Sequence, residues 1–133
     1  ESRNISDILK MLPHSDKNEF LNLSLAYTPT KGSLELRNEI ASMYPGLSAE
    51  QVVCFAGAEE AIYTAAKTLL GPKDHAIAIT PCYQSLSSVA RSVCDITTVE
   101  LQLRNNQWFL DIDQIAKAIK PQTRILFINF PLF

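Results

Sequence analysis

The feature that most constrains the fold is a regular alternation of β-prone runs and helical runs after residue 48. The β-prone runs are rich in Val, Ile and Phe, whereas the helical runs repeat apolar residues every three or four positions. Such alternation is typical of βα units, whose strands form a parallel or mixed sheet covered by helices. Strands are expected at residues 52–55, 76–79, 96–101 and 124–130, and helices at residues 58–70, 85–93 and 111–120.

Capping and turn residues support these boundaries. Ser48 with Gln51, and Asp111 with Gln114, have the spacing of a capping box, which predicts a helix start at each pair. Asn105-Asn106 predicts a turn. The run at residues 124–130 is apolar almost without alternation, which predicts a central buried strand followed by a ligand-facing loop.

Residues 1–47 follow a different pattern from the rest of the chain. Apolar residues at helical spacing predict a helix at residues 5–12, which Pro13 ends. Alternation at residues 20–25 indicates a short extended piece, and a loop precedes a second helix at residues 33–44. We therefore expect two segments, residues 1–47 and residues 48–133.

Composition and charge exclude several classes of function. The formal net charge is −2 and the basic residues form no stripe, so we expect no nucleic-acid partner. The most apolar run is far too short to span a membrane. The cysteines (Cys54, Cys82 and Cys94) and the histidines (His14 and His75) lack the spacing of a metal site. This cysteine usage predicts reduced thiols in a cytoplasmic protein.

Two segments after β-prone runs carry candidate chemistry. At Gly57 a strand is expected to pass directly into a helix, whose free N–H groups and dipole favour an anion such as a phosphate. Neither a dinucleotide-binding glycine pattern nor a P-loop is present, and a tight turn without a ligand is the alternative. Tyr83 follows the second strand and offers a flat face to a planar ring, unless it is only a core or rim aromatic.

Taken in order, these motifs resemble those of the class I/II aminotransferases, which are fold-type-I enzymes dependent on pyridoxal 5'-phosphate (PLP). The resemblance rests on Tyr27, Gly32 and Leu36-Arg37, on Gly57 to Ile62, on Pro81 and Tyr83, and on Asn129-Phe130-Pro131. It implies an α/β fold, part of a three-layer PLP-transferase-like sandwich with helices on both faces of a mainly parallel sheet. Residues 1–47 would be an N-terminal arm and small-domain segment, and residues 48–133 the first part of the large PLP-binding domain.

The resemblance also implies roles for individual residues. Ala58 and Glu59, after Gly57, would offer backbone N–H groups to the PLP phosphate, and Tyr83 would stack on the pyridine ring. Tyr27 matches a tyrosine that reaches the cofactor phosphate of the partner subunit, which implies a homodimer. The implied reaction transfers an amino group from an amino acid to a 2-oxo acid, in amino acid metabolism or biosynthesis.

The chain departs from the family pattern near its end. Phe133 stands where the family has an Asn that contacts the phenolic oxygen of PLP, and Phe cannot make that hydrogen bond. None of the lysines matches the family's Schiff-base lysine, so no catalytic residue is assigned in this chain. We expect an N-terminal portion that is inactive alone and exposes an apolar sheet edge prone to self-association.

Three alternatives stay open. A C–S lyase, a decarboxylase or an acyl-CoA condensing synthase shares the same N-terminal motifs. A truncated, non-catalytic module could bind a partner through the region of Tyr27. An unrelated α/β nucleotide-binding module is the third alternative, against which the missing glycine pattern argues.

Overall fold

The computed structural model describes residues 2–129, and the chain divides after Val53 into two units. The first unit is helical. Its elements are α1 (Ile5–Met11), α2 (His14–Leu21), α3 (Leu34–Ser42) and a 3-10 helix (Ala49–Gln51). The sequence predicts α1 and α3 to within two residues at each end.

The extended piece expected at residues 20–25 is wrong in its first part, because Phe20 and Leu21 belong to α2. Asn22 ends this helix. Its side-chain amide donates to the Asn18 carbonyl oxygen at 2.7 Å, and its backbone N–H donates to the same oxygen at 3.1 Å. A local side-chain cap therefore sets the boundary that apolar alternation alone misplaced.

Helix α3 begins where its N-cap residue predicts. The Ser33 hydroxyl oxygen accepts a 3.2 Å hydrogen bond from the Leu36 N–H. Gly32, just before the cap, has a φ of 95°, in the left-handed region that glycine adopts most easily. Further along, the Gln51 side chain accepts from the Ser48 N–H at 3.0 Å, so the expected helical turn at this pair is confirmed.

The second unit contains the sheet. Its elements are α4 (Ala58–Leu69), β1 (His75–Thr80), α5 (Gln84–Arg91), β2 (Asp95–Glu100), β3 (Gln102–Arg104), β4 (Gln107–Phe109), α6 (Ile112–Ala118) and β5 (Thr123–Phe127). Strands β2, β1 and β5 form a parallel sheet in that order. Strands β3 and β4 form an antiparallel hairpin around Asn105 and Asn106, both of which have positive φ.

Helices cover both faces of the parallel sheet, as expected. On one face the fully buried Ala66 of α4 and Ala90 of α5 pack with Ala76 of β1, and the small side chains let the helices lie close to the strand. On the other face Ile115 of α6 packs with Ile77 and a cluster of neighbouring apolar residues. The α/β fold with a mainly parallel sheet is therefore confirmed.

Two strand predictions need correction. Residues 52–55 are not a strand, because no neighbouring strand pairs with them among the described residues. Strand β5 was expected to be central, but β1 is central and β5 lies at the edge of the described sheet. Leu126 is 41% exposed, so the apolar character of this strand does not arise from burial on both faces here.

A buried histidine joins the three strands at their amino-terminal ends. His75 is 2% exposed, with Nδ1 2.7 Å from the Thr123 hydroxyl oxygen and Nε2 2.9 Å from the Thr97 hydroxyl oxygen. Desolvation lowers the pKa of His75, and the nearby charge of Lys120 lowers it further, against a smaller raising effect of Asp95. The imidazole is therefore a neutral structural group at pH 7.

Across residues 2–129, no helix combines the length and the apolar character needed to cross a membrane. In the same part of the chain, no three His, Cys, Asp or Glu side chains are grouped so that they could hold a metal ion.

Candidate functional site

A cleft of about 430 Å³ lies at the carboxyl ends of β1 and β5, beside the start of α4. In parallel α/β sheets, ligands bind at this end of the strands. The lining is mainly apolar, with one phenol and one carboxamide. It consists of Ala58, Ile62, Tyr83, Leu86, Ile128 and Asn129.

The start of α4 is open towards a ligand. Gly57 is the N-cap residue and supplies no side-chain hydrogen bond, and its carbonyl oxygen accepts from the Ala61 N–H at 3.3 Å. The N–H groups of Ala58 and Glu59 precede the first intrahelical donor, so helix geometry leaves them without an intrahelical acceptor. The helix is 12 residues long, and its dipole favours an anion at this position.

Gly57 carries no side chain at the position that directly precedes these N–H groups. Its backbone is extended, with a φ of −170° that any residue can adopt, so conformation does not require glycine here. A Cβ built at this position meets no described atom within 4 Å. The protein's own packing therefore leaves this volume empty, and an anionic group can approach the backbone there.

The two glutamates of the first turn behave differently. The Glu60 carboxylate turns back and accepts from the Ala56 N–H at 3.0 Å, which fixes the residues before the helix. Glu59 lines a neighbouring cleft of about 460 Å³ together with Tyr83, Gln84, Ser85 and Ser88.

Tyr83 lies between the two clefts and lines both of them. It is the N-cap residue of α5, and its side chain is not locked by packing, since the residue is 60% exposed. Its carbonyl oxygen accepts from the Leu86 N–H at 3.1 Å. Its phenol can therefore present a flat face to a planar ligand in the cleft.

Asn129 is a site residue that the sequence analysis left without a role. Its side-chain oxygen Oδ1 accepts a 3.1 Å hydrogen bond from the Tyr83 N–H, across 46 positions of the chain. A polar residue at the end of an apolar strand was the available signal, since such strand ends face ligands.

The structure brings together four of the five predicted site residues. Ala58, Glu59 and Tyr83 line the paired clefts, and Gly57 directly precedes Ala58. Tyr27 belongs to the first unit, where its side chain is fully exposed. Phe133, noted for its departure from the family pattern, lies outside the described residues.

Comparisons with known proteins identify the family of this chain. The family model for aminotransferase class I and II matches residues 11–131. The arginine–pyruvate transaminase AruH of Pseudomonas aeruginosa is 32% identical over 111 residues, which cover 79% of this chain and 28% of that protein.

Solved structures share the fold. N-Succinyldiaminopimelate aminotransferase from Mycobacterium tuberculosis superposes with a TM-score of 0.81 at 29% identity, covering 99% of this chain and 35% of that one. A PLP-dependent aminotransferase from Streptococcus suis superposes with a TM-score of 0.83 at 23% identity, covering 95% and 34%, and supports the fold alone. The chain thus spans about a third or less of the length of these relatives. By its match to the family model and its 32% identity to AruH, the chain belongs to the class I and II aminotransferases.

Proposed function

We propose that this chain is the N-terminal portion of a PLP-dependent aminotransferase that transfers an amino group from an amino acid to a 2-oxo acid. The observation that carries the proposal is the convergence of an uncapped helix start and an exposed tyrosine on one cleft. The first suits a phosphate and the second suits an aromatic ring, and PLP has both groups.

Each residue has a defined task in this proposal. The N–H groups of Ala58 and Glu59 donate to the phosphate, and Gly57 leaves the space that the phosphate needs. Tyr83 would stack on the pyridine ring, and the apolar residues of the cleft would shield the ring from water. When bound, PLP supplies an electron sink for the substrate carbanion.

The remaining parts of the site are proposed to come from elsewhere. The exposed Tyr27 contacts the cofactor phosphate of a second subunit, so the working protein is a homodimer. The free cysteines support a location in the cytoplasm. The described lysines do not line the clefts at Tyr83, and the lysine that carries PLP is proposed to lie in sequence after Phe133. The 133 residues alone are then inactive.

A mass measurement tests this proposal. The protein is purified from its source, incubated with PLP and reduced with borohydride. Its intact mass is then measured by mass spectrometry. A longer chain that carries one reduced pyridoxyl group is expected. A mass that matches 133 residues without an adduct would contradict the enzyme and favour a non-catalytic binding module.

A second assay separates amino transfer from the other PLP reactions. The PLP-loaded protein is given amino acids with 2-oxo acids, and in a parallel reaction amino acids with an acyl-CoA. The new amino acid is measured beside ammonia, carbon dioxide and CoA. The proposal expects a new amino acid in stoichiometric balance with the consumed 2-oxo acid. Release of ammonia, carbon dioxide or CoA instead would identify a lyase, a decarboxylase or a condensing synthase.

A further inference from the structure

The structure links a strand end to the aromatic wall of the cleft through a single side chain. Asn129 follows β5, and its Oδ1 accepts from the backbone N–H of Tyr83 at 3.1 Å. Since a backbone N–H can only donate, the carboxamide atom that faces it is the oxygen. This contact joins the loops after two neighbouring strands, β1 and β5.

The hydrogen bond from the Tyr83 N–H to Asn129 lies where few other contacts hold the backbone in place. Tyr83 is the N-cap of α5, and its own side chain caps no N–H of that helix. Its ring is largely exposed, so its position depends on the backbone that carries it. The carbonyl of Tyr83 is held by Leu86 and its N–H by Asn129, which together fix the peptide units on both sides of the Cα atom.

Tyr83 and Asn129 face the same cleft. Tyr83 and Asn129 line the 430 Å³ cleft together with Ala58, at the start of α4. A displacement of the Tyr83 backbone therefore changes the gap between the phenol and the helix start, which is the gap that a planar phosphorylated ligand must fill.

We propose that Asn129 is a positioning residue, whose carboxamide oxygen fixes the Tyr83 backbone and so holds the phenol against a planar ligand in the cleft. This inference rests on the proposed function, because it assumes a phosphopyridoxal ligand. Asn129 acts through Tyr83 in this account and contributes to ligand affinity only while the phenol is present.

A double-mutant cycle tests this coupling on the 133-residue chain. The probe is pyridoxine 5'-phosphate, which lacks the aldehyde and so cannot react with lysines, and its affinity is measured by equilibrium dialysis. Asn129→Ala is expected to weaken binding about three- to tenfold, the range for one lost hydrogen bond. Tyr83→Ala also weakens binding, and adding Asn129→Ala to it causes no further loss. Asn38→Ala, on an exposed face of α3, is the matched control and leaves affinity unchanged.

A second variant distinguishes loss of the hydrogen bond to Tyr83 from misfolding of the chain. Asn129→Asp keeps an acceptor oxygen in place, so the Tyr83 amide is expected to exchange with solvent as slowly as in the wild type, whereas Asn129→Ala speeds its exchange. Wild-type affinity in Asn129→Ala, or an equal loss with and without the Tyr83 ring, would overturn the inference alone. Failure of the wild-type chain to bind the probe would overturn this inference and the placement of the phosphate at the start of α4, whereas the borohydride mass measurement tests the proposed enzyme by itself.

Discussion

The guanidinium of Arg37 donates a 2.6 Å hydrogen bond from Nη1 to the backbone carbonyl oxygen of Ala49. Its Nε donates at 3.1 Å to the carbonyl oxygen of Gly32, so one side chain ties the loop before α3 to the 3-10 helix. Arg37 is 8% exposed, and Glu50 lies 3.5 Å from Nη1 at the rim. This arrangement fixes the loop that leads from Tyr27 to α3.

Replacement of Arg37 should therefore destabilise the first unit. Arg37→Ala leaves two carbonyl oxygens without their charged donor, and we expect a loss of about 1.5–3 kcal/mol in the free energy of unfolding. Arg37→Lys should lose less, since an ammonium can restore one of the two bonds. Urea titration measures both variants against Arg91→Ala, an exposed arginine. Equal stability of Arg37→Ala and Arg91→Ala would contradict this role.

The buried histidine predicts a pH dependence of stability. Burial holds the pKa of His75 below its ordinary value of 6.5, so the unfolded chain binds a proton before the folded chain does. Stability is then complete above about pH 6.5 and falls as the pH drops towards the folded pKa. His75→Asn should be less stable at pH 8 by about 1–3 kcal/mol and should show a weaker dependence between pH 5 and 7.

His14 provides the control for this pH effect, because it is exposed on α2 and is the other histidine of the chain. His14→Asn should retain the wild-type profile of unfolding free energy against pH. An unchanged profile in His75→Asn would show that other groups, such as the Asp95–Lys120 ion pair, set the pH dependence.

Glycine substitutions should separate binding from stability. Gly57→Ala places a methyl group in open space and needs no unusual φ, so stability should change by no more than about 0.5 kcal/mol. If the phosphate binds at the start of α4 as proposed, a methyl group on the residue before Ala58 should hinder it, and affinity for pyridoxine 5'-phosphate should fall about tenfold or more.

Gly46→Ala should have the opposite effect, since Gly46 has a φ of 84° and lies in the first unit. A loss of about 1 kcal/mol in stability is expected, with unchanged affinity for the probe. Paired measurement of both variants by urea unfolding and equilibrium dialysis checks this. If Gly57→Ala bound the probe as tightly as the wild type, the phosphate would not bind at the start of α4.

The exposed edge of β5 predicts self-association of the isolated chain. Leu126 is 41% exposed on this strand, and such an edge offers apolar side chains and unpaired backbone groups to another copy. Leu126→Lys should lower the weight-average mass at high concentration in sedimentation equilibrium. Ile112→Lys, on α6, is the control that should not, and a monomeric wild-type chain would contradict the prediction.

Local patterns predicted most of the elements in the second unit. The apolar stripe of α4, the capping pair Asp111 and Gln114, and the turn at Asn105 are all encoded within a few residues. The Asp111 side chain accepts from the N–H groups of Asp113 and Gln114, as the spacing indicates. Such signals can be read without knowledge of distant neighbours.

Features that depend on distant neighbours were missed. The strand expected at residues 52–55 lacks a pairing partner, and the edge position of β5 depends on which strands lie beside it. The contact between Asn129 and Tyr83 spans 46 positions and is created by the order of the strands. The same holds for His75, whose two threonine partners lie on β2 and β5.

The start of α4 and Tyr83 are proposed to bind a phosphorylated pyridoxyl group. Titration of the isotopically labelled 133-residue chain with pyridoxine 5'-phosphate, followed by amide NMR shifts, tests this proposal most directly. The largest shifts are expected at Gly57, Ala58, Glu59 and Tyr83, with smaller shifts for unphosphorylated pyridoxine. An absence of shifts, or shifts confined to the opposite end of the sheet around His75, would contradict it.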